Sequence, residues 1–470
     1  MLWPMINMQK HPYSRLQAAC AAAVLSLTLA ACQTAQMPEP TRVEQAVAWD
    51  ESVAEQYSVD EAWWQQYHDA QLNQLVETAL TNNIDLQKAA LTAEQALYNA
   101  RAAGTDLVPS LSGSLSGSAS KNIKDGGPSS RSYGGQVGLS YEVDLWQRLR
   151  DAADAKAWTY RASEQDIATA KLSLINATVN AYFELVYLQA AIDNAHSNIQ
   201  SYQELLRIAD AKYRHGKVAS IEPAQAKQAL ASTEATLLDL QSQRQSAEQT
   251  LRNLLNLKPN QSLGLNLPKL SGLQPLGVNT SVPLSVLANR PDLRAAEYTL
   301  RSSFKDWSAV RKSVYPSVTL GASLSSSAQD FSKALNVPFL GGNVGISLPF
   351  LNWNELKWNI KSSEAQYQAQ LLTFEQSINT ALNEVDGLYY SYRQSLANEQ
   401  TLASKLAAEA KIKQYYAARY KHGAAEFKDY ISAQTSYDSA YLAWLNGRYA
   451  RLQAENKVYQ AMAGRYHAGS

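Results

Sequence analysis

The sequence predicts a mixed α and β membrane protein with two copies of one unit, each a helix, a β-hairpin and a long helical hairpin. Three observations predict this fold class. A series of sequence landmarks recurs at one constant offset, several segments alternate between apolar and small polar residues, and two very long segments are almost free of helix-breaking residues.

The composition excludes some classes of partner. The 470 residues carry 42 basic and 42 acidic side chains, and no basic run is interleaved with aromatic residues, so nucleic acid is not expected as a partner. There are 26 tyrosines and 10 tryptophans but only 7 phenylalanines. Amphipathic aromatic side chains suit a boundary between water and an apolar phase, although ordinary packing in a protein core would use them equally well.

The N-terminus is typical of an exported lipoprotein. Two basic residues, Lys10 and Arg15, precede an apolar run that is too short for a spanning helix but suits a secretory signal. The run ends in "LAAC", which resembles the bacterial lipobox, in which the cysteine is lipidated and becomes the mature N-terminus. We therefore expect a signal peptide at 1–31 and a lipidated N-terminal extension at 32–70, with the lipid on Cys32.

Two alternatives to this reading stay open. Cys20 follows the similar segment "LQAA", but Gln17 occupies a position that is usually apolar. Cys32 could also be an incidental cysteine after a cleaved signal. The residue after Cys32 is Gln33. In this export system an aspartate at that position retains lipoproteins at the inner membrane, so the sequence does not predict such retention.

An internal repeat accounts for most of the chain. The segments "NNIDLQKAA", "PSLSGSLS", "GGQVGLS" and "KYRHG" reappear as "NRPDLRAAE", "PSVTLGASLS", "GGNVGIS" and "RYKHG", each 207 residues later. One constant offset over four landmarks indicates a duplication without gaps. We assign the first repeat to 71–257, the second to 284–465, and a proline-rich linker to 258–283.

Strands are predicted at about 107–120 and 134–145 in the first repeat, and at about 315–328 and 342–352 in the second. Serine occupies every even position from Ser110 to Ser118, and apolar or glycine residues occupy the odd ones. Such alternation is typical of a strand whose two faces meet different media, either in a soluble sheet or in a membrane barrel.

The apolar strand faces favour the membrane barrel. No companion sheet in the chain could cover them, and each strand is close to the ~9–11 residues that a tilted strand needs to cross a bilayer. Sheet edges must close in lipid, and known barrels start at about eight strands, so chains must pool their strands. Two chains would supply 8 strands and three would supply 12. The serine face would then line a water-filled lumen.

The helices are unusually long. A first helix is expected at about 76–106 and again at 284–313. The long helices are predicted at 147–215 and 217–257, then at 354–422 and 424–462. The first of them contains neither glycine nor proline, and at ~1.5 Å per residue it would extend about 100 Å.

In each repeat, one tryptophan stands where the second strand is followed by the long helix. Trp146 and Trp353 are 207 residues apart. Aromatic residues of this kind often lie at a membrane interface, so both are candidate interface residues. Packing of the indoles inside the protein is the alternative.

With these features together, the chain resembles TolC-type outer-membrane factors. The closest branch is the lipoprotein branch, similar to OprM and NodT, that serves resistance-nodulation-division efflux pumps. The lipobox, "WWQQYHDAQLNQLVETALTNNIDL", "NRPDLRAAE", the paired hairpins and the "YRHG" and "YKHG" turns carry the resemblance over about residues 20–465. It implies a homotrimer with a 12-stranded transmembrane β-barrel, four strands from each chain, continued by a periplasmic α-helical barrel.

The resemblance also implies a function and a set of partners. It suggests a passive exit duct in the outer membrane of a Gram-negative bacterium, surrounded by outer-membrane lipid. An inner-membrane resistance-nodulation-division transporter and a periplasmic adaptor would hand over drugs or other small toxic compounds. Two alternatives remain: a type I protein secretion system using the same duct, and a periplasmic coiled-coil lipoprotein scaffold without a pore.

In the family the duct closes at the periplasmic tip, where the helical hairpins of the second repeat converge. Tyr420 and Asp429 match the family's gate-linking tyrosine and pore-constricting aspartate. The match is incomplete, because Ser432 stands where TolC has a second aspartate and Ala425 where OprM has its own. Glu426 is therefore a further gate candidate.

The turns at the helix tips are also where adaptor hairpins dock in the family. Gly216 and Gly423 are the expected tip-turn residues, and a tight turn between helices would require a positive φ at both.

Enzymatic chemistry is not expected. The six histidines form no H-E-x-x-H motif, no C-x-x-C pair is present, and no glycine-rich phosphate loop occurs. No metal site and no cofactor are predicted, apart from the covalent lipid on Cys32.

Overall fold

The computed structural model describes residues 39–48, 57–121, 123–124, 126, 128–333, 336 and 339–468, so Cys32 and the signal peptide lie outside the described residues. The N-terminal extension and the first copy contain α1 (Val43–Ala46), β1 (Tyr57–Asp60), α2 (Ala70–Asn82), α3 (Ile84–Gly104), β2 (Ser110–Ser120), β3 (Ser130–Val143), α4 (Arg148–Arg214) and α5 (Ile221–Leu254). The second copy contains α6 (Pro291–Lys312), β4 (Ser317–Ala328), β5 (Phe339–Ser347), α7 (Trp353–Lys421) and α8 (Phe427–Ala461), and β6 (Arg465–Ala468) follows. Residues 207 apart in the two copies are called equivalent positions below.

The long helices are continuous. α4 has 67 residues and α7 has 69, so each extends about 100 Å. Gly387 lies inside α7 without ending it. Most other positions carry residues with good helix propensity, alanine above all, and tertiary packing tolerates one glycine at a cost of about 1 kcal/mol.

Each copy begins with two short segments, not with the single helix predicted over 76–106 or 284–313. In the first copy the chain is extended at Asn83, whose side-chain oxygen accepts hydrogen bonds from the backbone N–H groups of Asp85 (3.0 Å) and Leu86 (3.1 Å). This cap starts α3 as a separate helix. In the second copy a 3₁₀ helix precedes α6, and Pro291 at the start of α6 keeps the preceding residue extended.

Four strands form one antiparallel sheet in the order β2-β3-β4-β5. Leu111 pairs with Leu139 across β2 and β3, and Val318 pairs with Ile346 across β4 and β5. The second pair stands at positions equivalent to the first, so the two hairpins have the same register. Within the described residues, β2 and β5 each have an outer edge without a partner strand.

The strand ends differ from the prediction. β5 was expected to run to residue 352 but ends at Ser347, and residues 349–352 form a 3₁₀ turn. Pro349 cannot donate a ladder hydrogen bond, so the strand stops before it and Phe350 lies outside the sheet. β3 begins at Ser130, opposite Ser120, and not at residue 134, which shortens the loop before it.

Packing is concentrated where the two long helices pass the shorter ones. One core surrounds Trp63, Tyr182 and Leu251, and a second surrounds Leu287 and Phe374. Between them the linker is fastened to α8. There Arg448 donates to the carbonyl of Leu273 (2.8 Å), and the buried Glu455 accepts from the backbone N–H groups of Leu276 (3.0 Å) and Gly277 (3.2 Å).

The N-terminal extension is also fastened, a feature that the sequence pattern did not predict. β1 pairs with β6, so the extension meets the end of the chain, with Tyr57 opposite Ala468. The backbone N–H of Val43 donates to the buried carboxylate of Glu297 (3.1 Å). The described residues from Thr41 onward belong to one compact unit.

Candidate functional site

The first candidate site is the four-stranded sheet, whose apolar side chains share one face. Residues directly opposite each other in a sheet point to the same side. The register places Leu111, Leu139 and Ala322 in one row, and serine and glycine occupy most positions of the alternate rows. The apolar face is uncovered in the single chain, because Leu111 and Leu340 remain 75% and 80% exposed.

The two junction tryptophans have different surroundings. The indole of Trp146 stacks on Tyr315 with ring centroids 4.9 Å apart, and its N–H donates to the carbonyl of Pro316 (2.8 Å). Trp353 starts α7 and is exposed. The packing alternative therefore describes Trp146, and the membrane-interface role of both residues stays a prediction.

The second candidate site lies at the opposite ends of the long helices, in the tip turns. Gly216 has φ 64° and Gly423 has φ 71°, the left-handed region expected from the sequence. At each turn the glycine N–H and the next N–H bond back to the last helical turn, to Tyr213 and Lys212 in the first copy. This pattern is a Schellman motif, which ends a helix where the chain must reverse.

Tyr420 connects the two hairpins at the tip. Its hydroxyl accepts a hydrogen bond from the Lys212 ammonium (3.0 Å) and donates one to the Glu222 carboxylate (3.1 Å), both on the first-copy hairpin. Its ring stacks on Tyr430 at 5.4 Å and packs edge-on against Phe427. Burial raises the pKa of the Tyr420 hydroxyl, which the Lys212 ammonium partly offsets, so the neutral phenol can both donate and accept.

The two predicted acidic gate residues are solvent-facing. Asp429 lies in the first turn of α8 and is exposed. Its carboxylate forms neither a hydrogen bond nor an ion pair with any other residue that the structure describes. Glu426 is the residue before α8, and its side chain makes no capping hydrogen bond. A carboxylate in the first helical turn is favoured by the helix dipole, so Asp429 needs no protein partner.

The repeat relates Asp429 to a residue that sequence reasoning missed. Its equivalent position in the first copy is Glu222, the carboxylate that holds Tyr420. Lys212 was also missed, although both residues flank the "YRHG" turn, and a comparison of charges around the two turns could have found them.

A second group of functional candidates that sequence reasoning missed lies along the helices, further from the tip turns. The Tyr202 hydroxyl donates to the buried carboxylate of Asp438 (2.7 Å), and Gln434 donates to the same carboxylate. Burial raises the pKa of Asp438 above its ordinary range, while these two hydrogen bonds act in the opposite direction. The bond joins α4 of the first hairpin to α8 of the second, so it is a further link between them.

Metal-binding clusters and membrane-spanning helices also bear on the character of the site. Among the described residues, no group of histidine, cysteine, aspartate and glutamate side chains could hold a metal ion. None of the described helices combines the length and apolar character needed to cross a membrane.

Comparisons with known proteins match this architecture. The family model described as outer membrane efflux protein matches residues 75–257 and again 282–464. The chain is 44% identical over 416 residues to the toxin and drug export protein A of Aggregatibacter actinomycetemcomitans, covering 88% of this chain and 91% of that protein. It is 27% identical to the pyoverdine export outer membrane protein OpmQ of Pseudomonas putida, covering 95% and 97%. The open-state MtrE outer membrane channel of Neisseria gonorrhoeae has a similar structure, with a TM-score of 0.76 and 26% identity over 91% of this chain and 97% of that one.

The Tyr420 link predicts a measurable change in tip stability. Tyr420→Phe removes both hydroxyl hydrogen bonds but keeps the ring contacts, so local opening of the tip should become easier by about 1–2 kcal/mol. Hydrogen exchange of backbone amides in residues 212–222 and 420–430 should then be about 5- to 30-fold faster. Tyr416→Phe is the matched control, because its hydroxyl forms no hydrogen bond with a described residue. Equal exchange in both variants would contradict the link.

Proposed function

The chain belongs to the outer membrane efflux protein family, and on that premise we propose that it is the outer-membrane exit duct of a tripartite efflux pump. The observation that carries the proposal is the sheet, which has an exposed apolar face and, among the described residues, two edges without a partner strand. Unpaired backbone groups cost several kcal/mol each in lipid, so such a sheet can enter a membrane only when its edges are closed by further strands.

We infer a homotrimer with a 12-stranded barrel. Four strands are too few to close, and three chains supply 12, the number that the TolC-type resemblance implies. The small polar face then lines a water-filled lumen, and the leucine face meets lipid. The long helices continue from the strands and form a second tube in the periplasm. Their length allows the duct to reach a periplasmic adaptor.

The duct itself transports passively in this proposal. A resistance-nodulation-division transporter supplies the energy, and a periplasmic adaptor contacts the tip turns at Gly216 and Gly423. The exported compounds would be drugs or other small toxic compounds. Neither a metal nor a cofactor takes part, and the family relation to channels argues against an enzyme and against the scaffold without a pore.

Type I protein secretion is the second candidate, and one observation favours keeping it. The relative at 44% identity is named for the export of both toxin and drugs. A strain lacking the chain separates the two functions: a lower inhibitory concentration of drugs supports efflux, and loss of a secreted protein toxin with unchanged drug sensitivity supports secretion. Complementation with the full chain should restore the lost property.

We place the closed gate at the tip of the second-copy hairpins. Three copies of Asp429 would form a ring of like charges that attracts cations and hinders anions. The Tyr420 link to Lys212 and Glu222 would hold the ring closed, and adaptor contact at the turns would release it. Glu426 would add a second ring if its side chain also faces the axis.

The gate predicts the effect of removing one charge. Asp429→Ala should raise the single-channel conductance of the closed state in a planar bilayer several-fold and weaken its cation selectivity, because the constricting carboxylates are gone. Glu426→Ala tests the second candidate separately. Glu234→Ala, with the same charge change on the first-copy hairpin, is the control. Unchanged conductance and selectivity in Asp429→Ala would remove Asp429 from the gate.

Lipidation of Cys32 has its own test. Growth with labelled palmitate should label the wild-type chain and leave Cys32→Ser unlabelled, because the serine cannot form the thioether that carries the lipid. Cys20→Ser is the matched control and should keep the label. Label that persists in Cys32→Ser and disappears in Cys20→Ser would move the lipid to Cys20.

A further inference from the structure

The buried carboxylate of Asp438 lies at the contact between the two helical hairpins, on the α8 side. We infer that the charge of this carboxylate weakens the closed tip, and that removing the charge, by protonation or by an amide, locks the tip closed. The inference rests on the proposed function, because it concerns the gate of the duct. It gives Asp438 an effect opposite to that of Tyr420, whose hydroxyl joins the hairpins.

The surroundings of Asp438 leave its charge poorly compensated. Asp438 is only 8% exposed. Its carboxylate accepts hydrogen bonds from the Tyr202 hydroxyl (2.7 Å) and the Gln434 amide (3.1 Å), and it forms no ion pair with any residue that the structure describes. A carboxylate has about four acceptor sites, which water would fill. Burying a charge without a cationic partner is costly, so the closed tip carries a cost that a hydrated carboxylate avoids.

The titratable groups that face Asp438 do not remove this cost. Lys413 on α7 acts on the carboxylate without a direct contact, and its ammonium lies over a tyrosine ring of α8, 4.2 Å from the centroid. Tyr202 on α4 and Tyr430 on α8 are phenols whose own pKa values are raised by burial, so both stay neutral. Among the described residues, α5 contributes alanine and leucine side chains to the neighbouring apolar cluster.

Opening of the tip relieves the cost, and this sets the direction of the pH dependence. When α8 moves away from α4, water can reach the carboxylate. Burial raises the pKa of Asp438 in the closed tip, although its two hydrogen bonds and Lys413 act in the opposite direction. The closed tip therefore binds the proton more strongly than the open tip does, so acid stabilises the closed tip. This gain should grow as the pH falls through the raised pKa and level off near about pH 4, the ordinary range of an aspartic acid.

The repeat indicates that the helix does not need this carboxylate. The position equivalent to Asp438 in the first copy is Ala231, inside α5. Alanine has a better helix propensity than aspartate, so helix formation does not explain the carboxylate in α8. The position equivalent to Tyr202 holds Glu409. The bonded pair is thus a feature of the contact between the hairpins and not of the repeated unit.

Hydrogen exchange in the purified full-length chain tests the inference. Asp438→Asn keeps the shape of the side chain, and its oxygen can still accept from Tyr202, while Gln434 can turn its own amide oxygen toward the new N–H groups. At about pH 8, backbone amides of residues 427–440 should exchange about 3- to 10-fold more slowly in this variant than in the wild-type chain. The ratio of the two rates should fall toward one at about pH 4, because acid neutralises the wild-type carboxylate.

A control and a second variant make the test specific. Asp239→Asn is the matched control, because Asp239 is exposed and accepts a hydrogen bond from Gln243 of its own helix (2.7 Å). It should exchange like the wild-type chain at both pH values. Tyr202→Phe covers the case in which Asp438→Asn fails to fold. It takes one of two donors from the carboxylate, so it should speed the exchange, and more at about pH 8 than at about pH 4.

Faster exchange in Asp438→Asn, or a ratio that does not change with pH, would show that the carboxylate strengthens the closed tip or acts only as a structural acceptor, and the inference would be wrong. Conductance in a planar bilayer separates this result from a failure of the proposed function. If the wild-type chain forms no channel, the proposed function fails, while the exchange ratio still decides whether Asp438 weakens the contact. If the channel forms, Asp438→Asn should open less often than the wild-type chain at about pH 8.

Discussion

The rest of the structure depends on the need to satisfy backbone hydrogen bonds at the edges of a sheet with an apolar face. Water can satisfy the outer edges of β2 and β5, but water would also meet the leucine face that the register gathers on one side. Lipid can cover that face, but it cannot bond the edges. Only an arrangement in which chains share strands meets both requirements, and for this reason assembly and membrane insertion are inseparable in the proposed duct.

Duplication helps to meet this requirement, because one side of each copy packs against the other copy. Within the chain, the first copy binds the second through β3, β4, α4 and α6. The free sides are the equivalent surfaces, and their residues have diverged. The positions equivalent to Asp151 and Lys305 hold Trp358 and Tyr98, and both aromatic side chains are exposed in the single chain.

The two ends of the molecule rely on different interactions. The sheet end exposes apolar side chains and uses serine and glycine on its other face. The tip joins its hairpins through polar groups, Tyr420 between Lys212 and Glu222 and Tyr202 on Asp438, together with a small apolar cluster around Phe427 and Ile431. The proposed gate requires contacts that can break, and this network with its small cluster offers fewer buried contacts than the two larger cores.

The sequence by itself determined the elements and their duplication. The offset of 207 residues, the serine alternation and the absence of helix breakers depend on local residue preferences, which are visible in a single chain. The ends of the strands were predicted less accurately, since β5 ends before Pro349 and not where the alternation of residues ends. The turn glycines were predictable because a positive φ at Gly216 and Gly423 is a local requirement.

Only the tertiary structure decided which distant residues meet. Glu222 and Asp429 occupy equivalent positions, yet one holds Tyr420 and the other faces solvent. The pairing of β1 with β6 and the hydrogen bonds of the linker to Glu455 join segments that are far apart in the sequence, 179 residues for Leu276 and Glu455. Such contacts depend on the three-dimensional path of the chain, and no local preference in the sequence encodes them.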